Sequence, residues 1–488
     1  MADDDEADLV RSEAAVVVLG DVGRSPRMCN HAKSLADEGF DVKIIGFLES
    51  IPHENVINHP RIQIVGIPPP PDSMDSLPAF LQLPLKLFWN FLTLFWALVF
   101  QTSAFNLRVI LMQNPPALPT MIVCYLVSLV KWSQLTIDWH NYMFSILQNK
   151  YGFSTEEMEG KSSRALIVRC VRFLEGLCGR LAHYNLCVTD VMRRDLMERW
   201  GIRATTFYDR PPSWKFKPTS LAEIHDLYLR LSESEPLLQG ASSTETILTR
   251  ESPDGSISLL PTRPLVLLSS TSWTPDERFE ILLDALVEYD QKANSPKILM
   301  IITGKGSLKS KYLQEIHEKK LKNVFIITPW LDAEDYPKIL ASADLGISLH
   351  TSTSGLDLPM KVVDMFGARI PALALKFRCI EELVEERVNG YLFENSEELS
   401  RQIHELARGF PEGSVELNRL KGNMREENRF ESWEVMWKRS AAPGANLAPP
   451  DNGWARMWAI FLFSFLTIMA MIPIHLAMGT FTGLYFYE

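Results

Sequence analysis

Positive charge is the first thing this chain is short of. Lys and Arg number 49 against 60 Asp and Glu, a formal net charge of -11, which argues against binding through nucleic-acid phosphates, since that requires a basic face. Cysteine is scarce as well. The six residues Cys29, Cys124, Cys170, Cys178, Cys187 and Cys379 have no metal-ligand spacing and lie mostly in apolar runs. That excludes a zinc module or a disulfide scaffold and reads as reduced, buried thiols of a protein facing the cytosol. A basic and apolar leader is missing too: the acidic start Asp3-Asp4-Asp5-Glu6 reads as no signal peptide. Gly20-Asp21-Val22-Gly23-Arg24-Ser25 lacks the third glycine of the dinucleotide fingerprint, which argues against a nicotinamide-linked oxidoreductase.

Charge of either sign is absent from Met457 to Tyr487. Within that stretch Trp458 to Met478 covers 21 residues, a match at about 1.5 Å per residue to a hydrocarbon core of about 30 Å. Lys438, Arg439 and Arg456 precede it and no Lys or Arg follows, so the expectation is a membrane helix with the bulk of the chain in the cytosol. A second apolar stretch, Leu77 to Phe100, has Lys86 as its one formal charge but contains Pro78 and Pro84. Its Phe and Trp residues fall on more than one helical face. It reads either as core or as a partly exposed helix in contact with a membrane.

What is present alternates in the manner of parallel α/β sheets. Ala14–Gly20 is a continuous apolar run, the pattern of a strand buried on both faces. A helix is expected from Pro26 to Glu38, then strands at Val42–Phe47, Ile62–Ile67, Arg108–Met112, Gln134–Trp139, Tyr184–Thr189 and Ala204–Tyr208. A second block repeats the pattern with strands at Leu265–Ser270, Ile298–Thr303 and Asn323–Thr328, and another at Ala343–Leu349. The expected organisation is an N-terminal Rossmann-like domain over 13–215, a polar and partly disordered insert over 216–262 and a second Rossmann-like domain over 263–439. A linker over 440–453 and a membrane helix over 454–480 complete it. Two doubly wound domains facing a cleft would bind ligands at the carboxyl ends of their strands.

The most informative segment is Ser352-Thr353-Ser354-Gly355-Leu356-Asp357-Leu358-Pro359-Met360-Lys361-Val362-Val363-Asp364. Small and polar residues make a loop after a buried strand, and Pro359 suits the first turn of a helix. Such a helix start, at Met360 with Lys361 adding charge, is a ready site for a diphosphate. Asp364 lies one turn on and could accept from ribose hydroxyls. Ser270 and Ser272, with Lys305 and Gly306, end strands of the same domain and could hold further phosphate oxygens. In the first domain the Gly20–Gly23 turn with Arg24 and Arg27 is either a tight turn or the seat of a second diphosphate. Ile137-Asp138-Trp139-His140-Asn141-Tyr142 closes a buried strand with a polar and aromatic cluster. His140 is the leading candidate for a general base, ahead of Asp138 and Asp21, and Asn141 and Tyr142 are acceptor-binding candidates.

The stretches VVVLGDVGRSPRM, QNPPALP, TIDWHNY, SSTSWTPDE, ITGKG, TPWLDAEDYP and LHTSTSGLDLPMKVVDMFG closely resemble those of the chitobiosyldiphosphodolichol β-mannosyltransferases, from about Val16 to Trp433. The resemblance implies a GT-B fold, GDP-mannose as donor and dolichyl-diphosphate chitobiose as acceptor. It also implies formation of the first β-1,4-mannose linkage, with inversion, on the cytosolic face of the endoplasmic reticulum membrane beside other early mannosyltransferases. No tightly bound cofactor or metal is expected, and a loosely bound divalent cation is left open. A non-catalytic membrane-bound scaffold of the same fold is the alternative. Two features depart from the pattern. Related retaining enzymes carry two Glu eight positions apart; here Asp364 takes the second place and Leu356 the first, with Asp357 beside it. The family is also usually anchored by an N-terminal membrane helix; here none is read and the apolar stretch is C-terminal, so the family's anchoring is not carried over.

Overall fold

A computed structural model describes residues 11–446 except 153–161, 272, 275–276, 353 and 427–430, together with Trp454, Met457, Trp458, Ile460, Phe461 and Ser464. The chain divides into two compact units: residues 1–187, 193–207 and 437–488 form one, and residues 188–192 and 208–436 the other. The expected boundaries at 215 and 439 therefore shift to 207 and 436.

In the first unit the order begins β1 (Glu13–Asp21), α1 (Pro26–Asp37), β2 (Asp41–Phe47), α2 (Glu54–Ile57), β3 (Ile62–Gly66), α3 (Ala79–Phe100) and β4 (Leu107–Asn114). It continues with α4 (Thr120–Lys131), β5 (Gln134–Trp139), α5 (Met143–Tyr151), α6 (Ser163–Leu181), β6 (Tyr184–Cys187), α7 (Asp190–Trp200) and β7 (Thr205–Thr206). The seven strands pair in parallel in the order β3-β2-β1-β4-β5-β6-β7. Val16 and Val17 of β1 and Ile110 of β4 are wholly buried, as a sheet covered on both faces demands.

The second unit runs α8 (Leu221–Leu231), β8 (Thr249–Glu251), β9 (Ile257–Leu259), β10 (Leu265–Ser270), α9 (Phe279–Gln291), β11 (Ile298–Thr303), α10 (Lys309–Lys319) and β12 (Val324–Ile327). Then come α11 (Tyr336–Ser342), β13 (Leu345–Ser348), α12 (Met360–Gly367), β14 (Ala372–Leu375), β15 (Gly390–Phe393), α13 (Ser396–Ala407) and α14 (Val415–Arg425). α16 (Ala442–Asn446) belongs to the first unit, and α15 (Trp433–Ser440) spans the boundary that closes the second. Its six-stranded parallel sheet has the order β12-β11-β10-β13-β14-β15.

Two expectations need correction. The segment 216–262 is ordered: Ser220 and Glu223 form a reciprocal capping box on α8, and Ile224, Leu227 and Tyr228 pack into the core of the second unit. An amphipathic helix hidden among polar residues supplies the burial that mean composition concealed. Cys170 is exposed on α6, whereas the other cysteines are buried. Finally, most of the expected membrane helix 454–480 lies outside the described residues; Trp454, Met457, Trp458, Ile460 and Phe461 are exposed. Among the described residues one helix, Leu81–Phe100, is long and apolar enough to cross a membrane, and little of it is buried.

Candidate active site

In the first unit the polar chemistry gathers on Asp138, at the carboxyl end of β5. Its side chain is wholly buried. Arg27, one residue into α1, donates to both carboxylate oxygens, Nε to Oδ2 at 2.7 Å and Nη2 to Oδ1 at 2.9 Å. The same guanidinium donates to the Phe207 carbonyl at 2.9 Å and lies over the Phe207 ring. His31, one helical turn beyond Arg27, places Nε2 at 3.2 Å from Asp138 Oδ2. His140, two residues past Asp138, places Nε2 at 2.8 Å from that oxygen. Burial pushes the Asp138 carboxyl up, but Arg27 and the two imidazoles outweigh it and hold the group well below the usual carboxylate range.

These contacts fix protons. Burial lowers the His31 pKa, and its Nδ1 accepts the Trp437 indole N–H at 3.0 Å. Only the neutral ring with hydrogen on Nε2 can accept at Nδ1 and donate to Asp138 at once. For His140, donation from Nε2 to the carboxylate leaves Nδ1 as the basic nitrogen. Its side chain is about a quarter exposed and its backbone N–H is held by the Asn114 carbonyl at 2.8 Å. A partly exposed imidazole oriented by a buried carboxylate is the arrangement a general base requires.

Other candidates receive different tasks. Arg27 is buried and engaged by Asp138, so it stabilises the carboxylate and presents no open fork to a diphosphate. Asp21 accepts from the Gly23 and Ser50 N–H groups and the Ser50 hydroxyl. Burial opposes those bonds, yet its pKa falls, so it is a turn anchor and a poor base. Gly23 has to be glycine: a Cβ there would stand 2.5 Å from Ser50 Oγ. Gly20 has no such crowding, and Arg24 is exposed beside Asp21. Tyr142 is buried, its hydroxyl bonded to Asp195 at 2.9 Å, so it packs the loop. The Asn141 side chain accepts from the Tyr142 N–H at 2.7 Å. Glu175 was invisible in the sequence. From α6 its carboxylate accepts from Met143 and Phe144 N–H, at the start of α5, and from Asn114, thereby fixing the loop that carries His140.

In the second unit the candidates gather where the neighbouring strands β11, β10 and β13 end, as the fold rule for ligands anticipates. Gly355, at φ +71°, turns the loop after β13. Within it Asp357 accepts from the Ser352 and Ser354 hydroxyls and faces His350. Burial raises its pKa, but these partners win and hold it low. Leu356 is buried and its carbonyl accepts from Thr189, so this position supplies packing where related retaining enzymes place a carboxylate.

α12 begins at Met360, and Pro359 sits just before it as the cap rather than inside the first turn. Lys361 pairs with the buried Glu277, which also accepts from Thr271. Asp364 is bonded by Lys215 at 3.1 Å and by the Tyr336 hydroxyl, and burial pushes its carboxyl up. Ser270 contacts the same hydroxyl at 3.1 Å. Lys305 lies 3.8 Å above the Trp330 ring, beyond Gly304 at φ +123°, where a Cβ would collide with the Thr271 carbonyl. Gly306 is exposed beside it, and Ser272 falls outside the described residues. Among the described residues no three His, Cys, Asp or Glu side chains are placed to hold a metal ion.

Comparison with known proteins agrees with this architecture. Residues 263–408 match the family model for group 1 glycosyl transferases. The chain is 42% identical to the human chitobiosyldiphosphodolichol beta-mannosyltransferase, covering 88% of this chain and 91% of that one. It is 40% identical to the Arabidopsis thaliana protein named UDP-glycosyltransferase TURAN, over 89% of this chain and 97% of that one. Among solved structures, Anabaena Alr3699/HepE with UDP and glucose superposes with a TM-score of 0.58 at 17% identity, covering 90% of this chain and all of that one. That likeness establishes the GT-B fold.

Proposed function

The chain belongs to the chitobiosyldiphosphodolichol β-mannosyltransferases, and from that premise we propose that it moves mannose from GDP-mannose to dolichyl-diphosphate chitobiose with inversion at the anomeric carbon. The observation that carries the reading is the Asp138–His140 pair, 2.8 Å apart with the carboxylate buried and the imidazole partly exposed. His140 Nδ1 takes the proton from the acceptor 4-hydroxyl as that oxygen attacks the mannose anomeric carbon. Asp138 holds the ring and stabilises the imidazolium that forms. The departing diphosphate is stabilised by the start of α12 with Lys361 and by Lys305, while Asp364 meets the ribose. In this reading Lys361 exchanges Glu277 for phosphate when the donor binds. The lipid acceptor implies work at a membrane, which we assign to the cytosolic face of the endoplasmic reticulum.

Purified full-length protein incubated with a lipid-diphosphate chitobiose and GDP-mannose should yield one added hexose with β anomeric configuration. UDP-sugars serve as the competing donors. Transfer from a UDP-sugar alone would overturn the donor, an α product would overturn inversion, and no transfer from any donor would favour a non-catalytic scaffold.

A further inference from the structure

α3, α4 and α6 cover one face of the first sheet. The crossovers β3 to β4, β4 to β5 and β5 to β6 all run in the same direction across it, so right-handed connections put their helices on one side. α4 packs between the other two. On α3 the outward stripe is Leu81, Leu85, Phe88, Leu92, Trp96 and Phe100, all exposed, while Leu94, Ala97 and Leu98 face the core. These positions recur every three or four residues, a single helical face. α6 repeats the design with Leu166, Phe173, Leu177 and Leu181 exposed.

α6 differs in charge. Arg164, Arg169, Arg172 and Arg180 are exposed among its apolar residues, and its one acidic residue, Glu175, is buried. A chain with a net charge of -11 has thus placed cations where its surface is most apolar. Interleaved arginine and large apolar side chains match an anionic lipid surface: guanidinium groups meet phosphate while Leu and Phe enter the acyl boundary. We propose that this helical face is a bilayer-docking surface, with α3 lying in the interface and α6 selecting anionic lipid. The surface rests on the membrane location proposed above and on no particular sugar or donor.

Cys170, exposed on α6 while the other cysteines are buried, provides a native probe. Full-length protein is labelled there with an environment-sensitive thiol dye and reconstituted into phosphatidylcholine vesicles with or without phosphatidylinositol. The expected result is blue-shifted emission and quenching by doxyl-labelled lipid, both stronger with the anionic lipid. Arg169→Gln with Arg172→Gln should remove the anionic preference, about fivefold in partitioning for each charge, and Phe173→Ser should weaken quenching in both vesicles. Protein that floats with vesicles while its dye stays in water overturns this face and leaves the membrane location standing. Protein that fails to float overturns both. A Cys170 that resists labelling shows the face covered by the chain's own residues. Emission that follows protein concentration and ignores lipid shows it covered by a second copy. Either result overturns the proposal. Loss of mannosyl transfer with intact quenching would count only against the proposed activity.

Discussion

Asp138→Asn tests the centre of the first unit. The carboxylate receives two bonds from Arg27, with His31 and His140 on the same Oδ2, and neither Asp138 nor Arg27 reaches solvent appreciably. An amide keeps the shape but loses the charge and turns an N–H₂ toward donors on one side. Arg27 is then a buried cation without its counter-charge, and breaking a pair of this kind costs about 3–5 kcal/mol. Against a total stability of about 5–15 kcal/mol, that should show as a large fall in the urea midpoint of the detergent-solubilised protein. Turnover should fall further, by about a hundredfold or more, because His140 loses the partner that sets its tautomer. The double variant Arg27→Met, Asp138→Asn removes the stranded cation and should regain much of the stability without regaining turnover. A single variant within about 1 kcal/mol of wild type would refute the argument. So would a double variant in which the two losses simply add.

His140→Gln should depress turnover about a hundredfold with GDP binding unchanged, because a base acts in the chemical step; near-normal turnover would remove His140 from the chemistry. Lys361→Ala and Asp364→Asn should each weaken GDP binding about ten- to a hundredfold by calorimetry, and unchanged affinity in both would take them out of the donor site. Burial raises the Glu175 carboxyl from 4.5 to about 7, so its stabilising contribution is complete below about 4.5 and is lost as pH rises through about 7, by about 3 kcal/mol. The stability difference between wild type and Glu175→Gln should therefore change between about pH 5 and about pH 8, and a constant difference would contradict the raised value. Gly304→Ala, with its Cβ 1.8 Å from the Thr271 carbonyl, should cost about 1–3 kcal/mol or more in the unfolding midpoint; a neutral result would mean the turn relaxes freely.

The continuous apolar strands were legible because a parallel sheet buried on both faces writes unbroken Val, Ile and Leu runs: β5, β10 and β11 occupy the positions the sequence indicates. β14 and β15 went unread because Ala372–Leu375 has no β-branched residue and Gly390–Phe393 opens on glycine, so neither short run declares a strand. In the site, Asp138 and His140 were readable as near neighbours at a strand end. His31 was in principle readable too, one turn from Arg27 on α1. Trp437 was not, since nothing local marks an indole that meets a ring on the far side of the sequence. Arg27 and Tyr142 show the opposite failure. Their chemistry suggested ligand contact, and only burial revealed that each already serves a carboxylate.

The bond from the Trp437 indole to His31 has a temporal side. Its partners are 406 residues apart, and Gly444 likewise packs against Tyr184. At about 5–20 residues per second of synthesis, His31 waits about 20–80 s for the indole that holds its proton on the correct nitrogen. Once Asp138 and His140 have been made, the nascent first unit holds Arg27, the carboxylate and two imidazoles without the indole that later bonds His31. The unit made first can therefore be finished only among the last, after the whole second unit has left the ribosome.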